Sequence, residues 1–147
     1  MRRFVPFILL ALFLASCSGP SSLYYWGGER DNASRYEVMA YGMYKNQTPE
    51  AMCDMICVFE DMVSNPGGTR QVPPPGICAE YAYYLSLPET AEAFASTASK
   101  RQKQLFERSD FGSFFPEYAK QLLERELALY PESAVFVKPL MEKLVRK

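Results

Sequence analysis

From Arg35 onward, apolar residues recur at three- and four-residue intervals, the spacing of helices that bury one face. Tyr36, Met39, Ala40, Met43 and Tyr44 fall at i, i+3, i+4, i+7 and i+8 and predict a first helix. Asn46-Gln-Thr-Pro-Glu50 stops it and starts a second, with Thr48 as N-cap and Pro49 at the first helical position, where a missing N–H costs nothing. Met52, Met55, Ile56, Phe59, Met62 and Val63 form a full apolar stripe over the turns that follow. Asn65-Pro-Gly-Gly68 breaks this helix, and Pro73-Pro-Pro-Gly76 forbids another before about Pro75.

Ile77, Tyr81, Tyr84 and Leu85, with Cys78 and Ala82 beside them, predict a third helix whose aromatic density marks the centre of the core. Leu87-Pro88-Glu89 ends it. Ala91, Phe94, Ala95, Ala98, Leu105 and Phe106 suggest a fourth, polar in its middle at Lys100-Arg-Gln-Lys103, a charge run read as a solvated face. Ser109-Asp110 can cap a fifth, lined by Phe114, Phe115, Tyr118, Ala119, Leu122, Leu123 and Leu127, with Pro116 placing its regular part after about Phe115. Tyr130-Pro131-Glu132-Ser133 breaks it, and Val135 to Val145 gives a last helix, with a fresh start at Pro139 as an option. No period-two pattern suggests a strand. The expected fold is all-α: about six helices in antiparallel hairpins, in a single domain over residues 23–147.

The first residues carry a different pattern. Arg2 and Arg3 precede an uncharged apolar run from Phe4 to Leu14, and Leu14-Ala15-Ser16-Cys17 follows with the small residues a signal peptidase requires. Those eleven apolar residues are too few to span a bilayer, which needs about twenty. The tetrad resembles a lipoprotein cleavage site, so residues 1–17 read as a signal peptide, cut between Ser16 and Cys17. Cys17 becomes the mature amino terminus, carrying diacylglycerol and palmitate-type acylation. Two or three acyl chains suffice for stable anchoring where one does not. Ser18 is not the aspartate that resembles an inner-membrane retention signal, which favours the outer membrane and a periplasmic face. Residues 18–22, Ser-Gly-Pro-Ser-Ser, read as a flexible tether.

Beyond Cys17, 130 of the 147 residues remain, enough for one core and too few for two. Without Arg2 and Arg3 the 16 Lys+Arg fall to 14 against 17 Asp+Glu, a formal charge of −3, with no basic stripe for nucleic acid. Histidine is absent, which removes Ser-His-Asp and Cys-His pairs and most zinc sites. Asp54, Glu60, Asp61, Glu124 and Glu126 lie at the spacings of solvated helix faces, so no enzyme, cofactor or metal is expected. Cys53, Cys57 and Cys78 read either as small buried core residues or as one Cys57–Cys78 or Cys53–Cys78 bridge with a thiol left over. Tyr24, Tyr25 and Trp26 concentrate aromatic area beside the tether. Trp26 reads either as a cap on the first helical layer, as an interfacial residue or, with the two tyrosines, as a contact for a partner.

In the final third, Ala119, Leu123, Tyr130 and Pro131 fall where a tetratricopeptide second helix has its small, large, aromatic and proline positions. Tyr81, Ala82 and Leu85 resemble the matching first helix, although residues 88–115 intervene where that repeat has a tight turn. Together with the lipoprotein tetrad, Tyr25-Trp26-Gly27, Thr48-Pro49-Glu50, the Pro73 to Gly76 entry and the run from Leu129 to Phe136, the chain resembles the domain-of-unknown-function 4810 lipoprotein family across residues 14–145. The resemblance implies a small lipoprotein of Gram-negative bacteria, an accessory part of an outer-membrane assembly with a curli-secretion-channel-like lipoprotein as protein partner. Two other readings of the chain are a lipid-anchored cell-envelope hydrolase using carboxylates and a purely structural envelope lipoprotein.

Overall fold

A computed structural model describes residues 22–30 and 32–145. The leader, Cys17 and most of the 18–22 tether lie outside the described residues. A short hairpin pairs β1 (Glu29–Arg30) with β2 (Ala33–Ser34), Glu29 opposite Ser34. It is too short to leave a periodic signal in the sequence. Seven α-helices follow among the described residues: α1 (Arg35–Asn46), α2 (Pro49–Ser64), α3 (Ile77–Leu85), α4 (Pro88–Thr97), α5 (Lys100–Gln104), α6 (Phe111–Leu129) and, after a 3-10 turn at Pro131–Ser133, α7 (Ala134–Val145). The fold is all-α.

Local chemistry sets most of these boundaries. Ser34 caps α1 in a reciprocal box, its Oγ accepting from the Glu37 N–H at 3.2 Å while Glu37 Oε2 accepts from the Ser34 N–H at 2.9 Å. Thr48 caps α2 by accepting from the Ala51 N–H, and Pro49 is its first residue. The expected fourth helix is instead two. Ala98 turns extended at ψ 135, and Ser99 restarts the chain as α5 with its own capping box to Gln102. Pro88, expected only to stop α3, also begins α4 three residues ahead of Ala91. Pro116 and Pro139 both sit inside continuous helices, where later starts were expected. Each falls at the sixth residue of its helix, so the N–H it lacks would have reached back only to the second residue.

α2 is the central element. Its apolar stripe is buried together with Cys53, Cys57 and Val58, so nine of its sixteen residues lie in the core. α1, α3 and α4 pack around it, and α3 and α6 form the most extensive helix pair. That pairing joins the two segments of tetratricopeptide-like spacing: Tyr81, Ala82 and Leu85 meet Ala119, Leu122 and Leu123, all buried. α4 and α5 are the insertion between them. One end of the layer gathers the carboxyl ends of α2 and α6 and the amino ends of α3 and α7.

Candidate functional site

The segment beside the tether is built onto that end of the molecule. The Thr69 N–H donates to the Ser22 carbonyl at 3.1 Å and the Arg70 N–H to the Leu23 carbonyl at 3.1 Å. The approach is possible only because residue 68 is glycine. Its φ is +72°, and a Cβ there would lie 2.7 Å from the Leu23 carbonyl oxygen. The Asn65–Gly68 break in the helical pattern is therefore also a cradle for the amino-terminal segment.

Tyr25 ties the segment to α2, its hydroxyl donating to Asp61 Oδ2 at 2.8 Å. The same carboxylate faces Arg35 Nη1 at 3.7 Å and accepts from Asn65 Nδ2 at 3.3 Å. Burial, and then the bond to the Asp61 carboxylate, raise the Tyr25 pKa. Gly27, at φ +78°, crosses α2 where a Cβ would press on Val58 at 3.2 Å. Trp26 lies between these ties. Its carbonyl accepts from the Tyr36 N–H and its ring meets that of Tyr36 at 5.5 Å, yet 36% of it is exposed. Trp26 thus covers the first helical layer on one side and keeps the other open.

Tyr24, Tyr25 and Trp26 all line one cleft of about 480 Å3, together with Glu29, Ser34 and Glu37. The Ser34 N–H and hydroxyl hold the Glu37 carboxyl below its ordinary range. The three sequence-chosen aromatics are brought together, but in different roles: Tyr25 is a tie, Tyr24 stands beside Tyr130, and Trp26 has the free face. Ser16 and Cys17 lie outside the described residues. Comparison with family models, curated proteins and solved structures finds no match.

Three of the five carboxylates, Glu126, Glu60 and Asp61, depart from the expectation of solvated faces. Glu126 is only 1% exposed, and its Oε1 accepts from the Gly76 N–H at 2.8 Å. Gly76 opens α3 with no side chain of its own to cap it, so Glu126 supplies the acceptor from α6. Burial raises its pKa, against the lowering effect of the α3 N–H groups. Glu60 accepts from the Tyr81 hydroxyl at 2.9 Å and the Tyr118 hydroxyl at 3.1 Å, and also from Ser64. Asp61 is half-buried for the reasons given above, whereas Asp54 and Glu124 are exposed as expected. Glu60 and Glu126 both bind groups of the fold itself. A signal for Glu126 did exist: a helix opening on Pro-Pro-Gly needs an acceptor from elsewhere.

Cys53, Cys57 and Cys78 are buried and unbridged. Burial pushes the Cys53 thiol up to about 11 and those of Cys57 and Cys78 up to about 12, so all three are neutral core side chains at physiological pH. Among the described residues, no group of three or more His, Cys, Asp or Glu gathers to hold a metal, and no helix is long and apolar enough to cross a membrane.

Proposed function

We propose that this chain is a periplasm-facing lipoprotein of the outer membrane, anchored through Cys17, which serves as a helical scaffold or accessory subunit of a cell-envelope assembly. The single observation that carries the reading is Leu14-Ala15-Ser16-Cys17 behind a basic and apolar leader. The position of the first clamped residue supports it: the domain is tied down from Ser22, a few residues after the acylated cysteine. The resemblance to the domain-of-unknown-function 4810 lipoproteins points to a secretion-channel-like lipoprotein as partner. The cleft at Tyr24 to Trp26 is the contact, because an anchor so close in sequence holds it near any neighbour in the same leaflet and raises the effective concentration.

Cys17→Ser tests the anchor. The thiol is the lipid acceptor and its diacylglyceryl form the peptidase substrate, so the variant should take up no labelled palmitate and remain uncleaved. Palmitate incorporated into Cys17→Ser would defeat the assignment.

A further inference from the structure

The end of the molecule from which the tether leaves also carries exposed side chains with no polar atom, whereas the strongly exposed rings of α1, Tyr41 and Tyr44 at 65% and 79%, carry hydroxyls. Leu23, one residue into the described chain, is 52% exposed, and Val135 and Phe136, in the first turn of α7, are 75% and 80% exposed. One contact chain links them. Leu23 is clamped to Arg70; Arg70 and Tyr24 stand beside the Tyr130 hydroxyl, which itself donates to the Pro73 carbonyl at 2.7 Å; and Tyr130 leads through the 3-10 turn into α7. Phe136 has no core role: the inward positions of α7 are Val137, Leu140, Met141 and Leu144.

Tether length decides what this patch meets. From Cys17 to Ser22 the chain reaches at most about 18 Å, even when fully extended. The sixteen residues of α2 separate the exit end from the opposite end, where Tyr44 lies, by about 24 Å. A domain held so closely cannot turn its far end to the bilayer. We propose that Leu23, Val135 and Phe136 form a lipid-docking face that seats in the interfacial region of the membrane carrying the anchor. This rests on the Cys17 reading above. The exposed charges nearest in the chain to these residues, Glu132 and Lys138, and Arg70, whose N–H holds Leu23, carry both signs, so the attraction is apolar and largely indifferent to salt and to lipid charge.

The chain has one tryptophan, which makes the test direct. In the lipidated full-length protein, Trp26→Phe removes the native emitter, and Phe136→Trp or Tyr44→Trp then places one at either end, in vesicles of phosphatidylethanolamine and phosphatidylglycerol with brominated acyl chains. An apolar face seated about 5–10 Å into the headgroup boundary should cost position 136 about half its emission or more, in low and high salt alike, and leave position 44 unquenched. Val135→Trp repeats the measurement should position 136 perturb the helix. Equal quenching at both ends, or none at 135 and 136 while the protein floats with the vesicles, overturns docking and leaves the anchor standing. Blue-shifted emission from 136 that brominated lipid does not quench means that protein covers the face, and also overturns it. A protein that fails to float at all indicts the anchor instead.

Discussion

Gly76 begins a helix with nothing to cap it, and the acceptor arrives from Glu126, fifty positions away and almost wholly enclosed. Burial holds the Glu126 pKa above its ordinary 4.5, so the folded chain binds this proton more readily than the unfolded chain does. The resulting stability is fully present below about pH 4.5 and is lost as pH rises through the folded value. Glu126→Gln keeps an acceptor for the Gly76 N–H but cannot titrate. Melts of the two proteins should therefore show the wild type gaining on the variant as pH falls from neutral to about 4; a difference independent of pH would mean that Glu126 titrates as it does in the unfolded chain. Glu126→Ala strands the N–H and should cost about 1–3 kcal/mol at neutral pH. Gly68 is the second residue with a fixed identity. Left-handed strain of about 1–3 kcal/mol and the contact with Leu23 should together make Gly68→Ala loosen the amino-terminal segment, read as faster amide exchange at Thr69 and Arg70.

Among the elements, the glycines sort by surroundings rather than by type. Gly42 lies inside α1, with nothing within 4 Å of where a Cβ would project. Gly42→Ala should stabilise the domain by about 0.5–1 kcal/mol, the opposite sign to Gly68→Ala, and a lowered melting temperature would show that the site is not free. The α3–α6 pair should respond like a core. Leu123→Ala should cost about 2–5 kcal/mol in denaturant titration, and a change within error would mean that the tetratricopeptide-like register is not what joins these helices. Sequence periodicity revealed α1, α2, α3 and α6 because each has an apolar stripe, although that of α1 is only half-buried and its last member, Tyr44, is exposed. The same periodicity missed the break at Ala98–Ser99, where Phe94 from α4 and Phe106 from the turn just after α5 reach the same cluster and so imitate one long stripe. Ser99-x-x-Gln102 is nevertheless a capping box, as is Ser34-x-x-Glu37, and both were legible as helix starts. The interior prolines misled because each sits in the second turn, where the helix absorbs the one missing N–H bond and continues.

Across the whole molecule, aromatic rings run unbroken from the amino-terminal segment to the start of α6: Trp26 to Tyr36 at 5.5 Å, Tyr36 to Phe59 at 6.1 Å, Phe59 to Tyr81 at 5.3 Å, Tyr81 to Tyr118 at 5.8 Å and Tyr118 to Phe114 at 5.4 Å. The candidate contact is the outer end of that line, so a variant there must be read for stability and binding together. The aromatic cluster at Tyr24 to Trp26 was legible from the sequence; that Tyr25 is committed to Asp61 while Trp26 is half free was not, since a residue 36 positions away decides it. Trp26→Ala removes one ring pair, worth about 0.5–1.5 kcal/mol, from an already exposed residue. As the anchor of a protein contact it should cost about 2 kcal/mol or more in binding, roughly a thirtyfold loss. Phe59→Ala, which breaks the line in the core, should cost about 3–5 kcal/mol of stability and reduce recovered partner only in step with the loss of folded protein. Mild-detergent purification of both lipidated variants, with melts alongside, separates the cases. A Trp26→Ala protein that melts several degrees lower and still retains its partner would make Trp26 part of the fold alone, and would move the contact to another surface.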